Sequence, residues 1–140
     1  MTDKFKIIAN YIKDLSSETK DIETYIFVKN QILKYQLGIN INSKAIKNKM
    51  IEINTIMKLE DKEDSEKKSF FEMTYTSIVK IGEDVKDKQE LEKIILCDVQ
   101  SKITPNLEKS FLDMLHNSGF NNMNFENKLD FEKLYKQRAN

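Results

Sequence analysis

Four segments of the chain alternate hydrophobic and polar residues with a period of two, which is typical of half-buried β-strands. They are KIIANYIKDLS, KYQLGINI, IEINTIMKL and FFEMTYTSIVKI. In the second segment the predicted apolar face consists of Tyr35, Leu37, Ile39 and Ile41. In the third it consists of Ile51, Ile53, Thr55, Met57 and Leu59. In the fourth it consists of Phe71, Met73, Tyr75, Val79 and Ile81. The first segment has apolar residues on both predicted faces, with Ile7, Ala9, Tyr11 and Leu15 on one and Ile8, Asn10, Ile12 and Asp14 on the other.

Two connecting segments differ sharply in polarity. Nine of the twelve residues in KLEDKEDSEKKS are charged, which predicts a solvated hairpin tip between the third and fourth strands. The segment from Thr19 to Ile32 is instead rich in apolar residues. We expect this second segment to be a loop that packs against another part of the molecule.

After Gly82 the hydrophobic period changes to that of a helix. Residues 87–103 place Leu91, Ile94, Ile95 and Val99 on one helical stripe. Thr104 is predicted to be the N-cap of a second helix, with Pro105 at its first position and Gly119 as its C-terminal stop. A short third helix is predicted to start near Asp130.

Strands followed by helices predict an α+β fold, in which a four-stranded antiparallel sheet has helices packed on one face. The 140 residues suit one domain over 1–140. Three short helices can cover only one sheet face well, so the doubly apolar first strand favours an oligomer. A groove between subunits could then hold extended apolar segments of other chains. The alternative is that these residues form an ordinary core within one chain.

Composition excludes several classes of function. Lysine and arginine together number 23, as do aspartate and glutamate, so the net charge is zero, and Arg138 is the single arginine. Both features argue against a nucleic-acid binder. The apolar runs are too short to span a membrane, and the first residues lack the core of a signal peptide. We therefore expect a cytoplasmic protein whose lack of net charge permits self-association.

The sequence contains no constellation of residues that would predict catalysis. Cys97 lies in an apolar run and is predicted to be a buried small hydrophobe. His116 has no neighbour at a metal-ligand spacing, and the three glycines are too scattered for a phosphate-binding loop. We therefore predict that the chain is not an enzyme and needs neither metal nor cofactor.

Several motifs resemble those of the SecB export chaperones. YIKDLSSE is similar to the first-strand motif of that family, and KYQLGINI and FFEMTYTSIVKI resemble its second and fourth strands. TPNLEKSFLDMLHNSGF resembles the family's helix that opens with a Pro-Asn pair, and NMNFENKLDFEKLY resembles its closing pattern. The resemblance extends from Phe5 to Tyr135.

This resemblance implies a homotetramer, built as a dimer of dimers, that holds unfolded precursor proteins in hydrophobic grooves without ATP. It also implies delivery of these clients to SecA, the motor of the translocase. The family's SecA-binding positions correspond here to Asp14, Glu18, Phe70 and Glu72. Its groove-lining positions correspond to Tyr35, Leu37 and Ile39, and Met114 and Leu115 are expected to lie beside them.

The chain departs from the family pattern in its neutral charge and in a long helix shortened by about one turn, the helix that builds the family's tetramer interface. Two alternatives therefore remain open. The chain could be a SecB-like chaperone dedicated to one client, such as an antitoxin, or an oligomeric scaffold with closed grooves. Binding of RNA to the sheet is disfavoured by the zero net charge.

Overall fold

A computed structural model describes residues 4–123 of the protein. Its elements in chain order are β1 (Phe5–Glu18), α1 (Ile22–Lys29), a 3-10 turn (Ile32–Lys34), β2 (Gln36–Ile46), β3 (Met50–Glu60), β4 (Phe70–Ile81), α2 (Lys88–Lys93), a π-helical segment (Ile94–Asp98) and α3 (Val99–Asn117). The predicted α+β fold with one antiparallel sheet is confirmed. The helix predicted near Asp130 lies outside the described residues.

The sheet has the order β1-β4-β3-β2, so β4 and β3 are central and β1 and β2 are its edges. The predicted alternation in β3 and β4 is confirmed, because the odd-numbered residues face the helices. Ile53, Met57, Phe71, Met73 and Val79 on this face are fully buried. We call this side of the sheet the helix face and the opposite side the open face.

Strand β1 does not keep the simple alternation that its sequence predicts. Its pairing with β4 shifts register between Ile7 and Ala9, and again between Ile12 and Asp14. Each bulge inserts one residue, so the side chains that follow change face. Ile7 and Leu15 therefore share the helix face, whereas Ala9 and Tyr11 lie on the open face. The prediction that these four residues share one face was wrong.

The predicted break between two helices at Thr104 was also wrong. The chain is helical from α2 through the π-helical segment to the end of α3, with Pro105 inside α3. Thr104 Oγ1 donates a hydrogen bond to the carbonyl of Gln100 at 2.6 Å instead of capping a helix. Ile103 and Leu107 are buried on either side of the proline. Burial of this continuous stripe favours an unbroken helix over the local preference of proline.

Gly119 ends α3 as predicted. It has φ of +98°, its N–H donates to the carbonyl of His116, and the N–H of Phe120 donates to that of Leu115. These two bonds form a Schellman motif, in which glycine avoids the strain of positive φ. The ring of Phe120 packs edge-on against Phe71, with centroids 5.4 Å apart, and so anchors the helix end to β4.

The apolar segment predicted as a loop contains α1. Asp21 caps this helix, and its Oδ1 accepts a hydrogen bond from the N–H of Thr24 at 2.8 Å. Tyr25 packs on Phe120 and donates its hydroxyl hydrogen to the carbonyl of Gly119 at 2.7 Å. Val28 is fully buried. The segment therefore packs against the core as expected, but as a helix.

Candidate functional site

The four residues predicted for partner binding come together at one end of the open face. The register pairs Asp14 with Thr74, Ser16 with Glu72 and Glu18 with Phe70. Asp14, Glu18, Phe70 and Glu72 thus occupy three successive rows of the sheet. Asp14 and Glu18 are exposed, Phe70 is 45% exposed and Glu72 is half-buried. We call this region the acidic end.

A lysine that the sequence analysis did not single out lies within the acidic end. Lys58 of β3 is directly opposite Glu72 of β4, and its Nζ is 3.3 Å from Glu72 Oε1. In the next row, Lys62 Nζ donates to Glu60 Oε2 at 2.8 Å, and this bond lowers the pKa of Glu60. Two of the carboxylates therefore already have a cation beside them.

A notch of about 250 Å³ lies next to the Lys58–Glu72 pair. It opens above Gly38 of β2, and Ile56, Lys58, Glu60 and Glu72 contribute to its walls. A Cβ atom on Gly38 would meet no atom closer than the Lys58 carbonyl oxygen at 4.0 Å. The missing side chain therefore creates the notch, and the acidic end offers space as well as charge.

The centre of the open face is joined by hydrogen bonds between uncharged side chains, and Asn54 Nδ2 also donates to Glu52 Oε2 at 3.3 Å. Asn54 Nδ2 donates to Asn42 Oδ1 at 3.0 Å, and Asn54 Oδ1 accepts from Thr76 Oγ1 at 2.7 Å. These bonds connect β2, β3 and β4 on the side that the helices do not cover. Strand alternation predicts Asn54 on this side, but only the register shows which residues it contacts.

The residues predicted to line a client groove fall into two groups. Tyr35, Met114 and Leu115 are buried in the core of the single subunit. The hydroxyl of Tyr35 accepts a hydrogen bond from the N–H of Ser69, and burial raises the pKa of Tyr35. Leu37 and Ile39 are half-buried on the helix face of edge strand β2. Only these last two are accessible to another chain in this structure.

Large hydrophobic side chains are exposed in two regions that the groove prediction did not include. In β1 they are Ile8, Tyr11, Ile12 and Leu15. In α1 and the 3-10 turn they are Ile22, Ile26, Phe27 and Leu33, of which Leu33 is 70% exposed. The sequence signal for the second region is the high apolar content of residues 19–32.

Residues 4–123 contain no group of histidine, cysteine or acidic side chains that could hold a metal ion. None of the helices described is both long and apolar enough to cross a membrane.

A buried hydrogen bond joins the sheet to α3, because Thr55 Oγ1 donates to Gln100 Oε1 at 3.0 Å. This contact satisfies polar groups between the sheet and α3.

Comparisons with known proteins identify a family and a relative for this chain. The family model described as preprotein translocase subunit SecB matches residues 1–140. A relative from Pelagibacter ubique (strain HTCC1062), described as "Putative protein-export protein SecB", is 59% identical over 140 residues and covers all of both chains.

A solved structure has a similar fold. It is the SecB-like chaperone of Mycobacterium tuberculosis in complex with a ChAD peptide from the HigA1 antitoxin, with a TM-score of 0.60 and 8% identity over 89% of this chain and 90% of that one. At this identity, the likeness concerns the fold alone. The match of the family model to the whole chain and the 59% identity show that the protein belongs to the SecB family of protein-export chaperones.

Proposed function

We propose that this chaperone works in the cytoplasm without ATP, holds unfolded precursor proteins and delivers them to SecA. Membership of the SecB family supports a role in export. The observation that carries the holding function is the set of ten large hydrophobic side chains exposed among residues 4–123 of one subunit. Surface of this kind marks sites where proteins bind one another.

The holding function is tested by diluting a chemically unfolded protein into buffer with and without this chaperone, in the absence of nucleotide. Suppressed light scattering at a stoichiometric ratio is expected, and added ATP should change nothing. Aggregation at the rate of the unfolded protein alone would contradict the proposal and would favour a scaffold with closed grooves.

The proposed assembly is a homotetramer formed as a dimer of dimers. Ile12 and Leu15 support it, because both lie on the helix face of edge strand β1 and are 43% and 49% exposed. Burying such side chains against a second copy is worth about 25 cal/mol for each Å². Light scattering should give four subunits for the wild type and a smaller species for Ile12→Ser with Leu15→Ser, whereas a monomeric wild type would refute the assembly.

Client contact is proposed at Leu37 and Ile39, with Tyr35, Met114 and Leu115 taking part only where binding opens the core. Leu37→Ser with Ile39→Ser should weaken binding of an unfolded client while leaving the circular dichroism spectrum unchanged. Met114→Ala should instead lower the free energy of unfolding by about 2 to 5 kcal/mol, because that side chain is buried. Unchanged client affinity in the double variant would show that Leu37 and Ile39 do not contact the client.

Delivery to SecA is proposed to use the acidic end. Asp14, Glu18 and Glu72 can attract a basic segment of SecA, Phe70 adds an exposed apolar contact, and the attraction should weaken with salt. Replacing the three acids with alanine should abolish SecA binding but leave client holding intact. A matched control replaces three exposed acids away from the open face, Glu83, Asp84 and Glu92, with alanine. Equal loss of binding in both variants would reject the assignment.

A second candidate is a chaperone dedicated to one client. The structural neighbour supports it, because that SecB-like chaperone was solved with a peptide from an antitoxin. The two candidate functions differ in the number of clients and in the binding of SecA. An export chaperone should hold several unrelated unfolded proteins and bind SecA, whereas a dedicated chaperone should hold one client and leave SecA unbound.

A further inference from the structure

Three lysines lie at the end of the open face that is opposite the acidic end. Lys6 of β1 and Lys80 of β4 are directly paired, and Lys44 of β2 lies one row away beside Glu52. All three lysines are exposed. We call this set the lysine end.

Among the described residues, the lysine end has no ion pair of its own. Lys6 and Lys80 are directly opposite each other, and like charges in that arrangement are destabilising in a sheet. Among residues 4–123, no ion pair involves Lys6, Lys44 or Lys80. Glu52, which lies beside Lys44, is instead 3.9 Å from Lys13 Nζ and accepts a hydrogen bond from Asn54 Nδ2. An anionic group from another molecule would therefore relieve repulsion that residues 4–123 leave in place.

The two ends are far enough apart to act separately. Glu72 and Lys80 are eight residues apart in β4, which corresponds to about 27 Å along a strand. Charges are screened over about 8 Å at physiological salt. The hydrogen-bonded network around Asn54 lies between the ends, with the paired charges of Lys13 and Glu52 beside it. The open face is therefore negative at one end and positive at the other.

We infer that the open face binds one extended segment of a partner at both of its ends. A basic group of the segment contacts the acidic end, and an acidic group of the same segment contacts the lysine end. About eight residues must separate the two groups when the segment is extended along the strands. This inference rests on the proposed docking of a basic partner at the acidic end. It adds a second contact at the lysine end and a fixed spacing between the two charged groups of the segment. Together these determine the direction in which the segment runs along the strands.

The probes are synthetic peptides with three lysines and three aspartates at opposite ends of a Ser-Asn spacer. We expect the peptide with an eight-residue spacer to bind about 5- to 20-fold more tightly at low salt than one whose aspartates are replaced with asparagine. A three-residue spacer should lose this gain, because it spans only about 10 Å. Fluorescence anisotropy measures all three affinities.

The lysine variant Lys6→Gln, Lys44→Gln, Lys80→Gln should lose the gain in affinity that the aspartates of the peptide provide. It should keep its affinity for the lysine-only peptide, in which asparagines replace the aspartates. The control variant Lys86→Gln, Lys88→Gln, Lys93→Gln changes three exposed lysines away from the sheet and should keep the gain. Equal affinity of the wild type for both peptides, or a gain that survives in the lysine variant, would overturn the inference.

Failure of the acidic end can be told apart from failure of the lysine end. If the lysine-only peptide does not bind the wild type, the proposed SecA surface is wrong. A peptide that carries only the aspartates then tests the lysine end alone. Its binding to the wild type and loss in the lysine variant would support an anion-binding lysine end, whereas no binding to the wild type would refute it.

Discussion

Lys58 and Glu72 face each other across β3 and β4, with Lys58 Nζ 3.3 Å from Glu72 Oε1, in the middle of the surface proposed to bind a basic partner. The ammonium group of Lys58 lies beside the carboxylate that a cation of the proposed partner would use. Lys58 would therefore compete with that cation for Glu72. We therefore expect the proposed partner binding to depend on how strongly Lys58 and Glu72 attract each other.

Replacing Lys58 with glutamine should strengthen binding of a lysine-rich peptide about 2- to 5-fold, because Glu72 then has no competing cation. Glu72→Gln should weaken the same binding. Exposed ion pairs contribute at most about 1 kcal/mol, so the free energy of unfolding should hardly change in Lys58→Gln. Titration by fluorescence anisotropy and urea unfolding measure the two quantities. Weaker peptide binding in Lys58→Gln would show that the lysine itself contributes to the contact.

Gly119 should not tolerate alanine. Its φ is +98°, and an added Cβ would lie 2.7 Å from Tyr25 Cε1. Gly119→Ala should therefore lower the free energy of unfolding by about 2 kcal/mol or more. Gly38→Ala is the matched control, because an added Cβ there would lie 4.0 Å from its nearest atom, the Lys58 carbonyl oxygen, and alanine should stabilise the strand by about 0.5 kcal/mol. Equal effects in urea unfolding would mean that the helix end does not impose the strain inferred from its geometry.

Pro105→Ala should stabilise α3. Pro105 lies inside the helix and cannot donate the backbone hydrogen bond of that turn. Alanine restores the donor, although it also frees the unfolded chain, so we expect a gain of about 1 to 3 kcal/mol. Thermal unfolding measures it, and Asn106→Ala at the neighbouring exposed position is the control. A loss of stability in Pro105→Ala would indicate that the helix depends on the shape that proline gives it.

The Asp21 cap should make stability depend on pH in the acidic range. Hydrogen bonds from the side chain and backbone N–H of Thr24 lower the pKa of Asp21 below its ordinary value of 3.8. The cap therefore contributes fully above that value, and its contribution is lost as the pH falls through the lower pKa of the folded state.

Asp21→Asn is the matched variant, because asparagine can cap a helix without titrating. The difference in free energy of unfolding between wild type and Asp21→Asn should be constant above about pH 5 and should shift against the wild type below about pH 4. Urea unfolding across this range measures the difference. A difference that does not vary with pH would show that the carboxylate gains nothing from its contacts with Thr24.

Part of the candidate site could be predicted from the sequence. Asp14 and Glu18 lie four residues apart in one strand, and strand alternation puts them on the same face without knowledge of any partner strand. Glu72 follows from the alternation of Phe71 and Met73 in β4 in the same way. That these acids meet at one end of the open face depends on the pairing of β1 with β4, which only the register shows.

Other parts could not be predicted because they depend on contacts between distant residues. Lys58 meets Glu72 only through the register of β3 and β4, and the charged loop between these strands is too long to fix that register from turn geometry. Met114 and Leu115 were expected beside a groove, but their position on the stripe of α3 buries them against the sheet.

The sequence by itself determined the four strands, the faces of β3 and β4, and the end of α3 at Gly119, because period-two alternation and the left-handed preference of glycine are local properties. Only the tertiary structure decided the bulges of β1, the continuity of the helix through Pro105, the helical form of residues 22–29 and the lysine end. Each of these depends on free energy gained when separate segments pack together, and that gain exceeds the local preferences that the sequence displays.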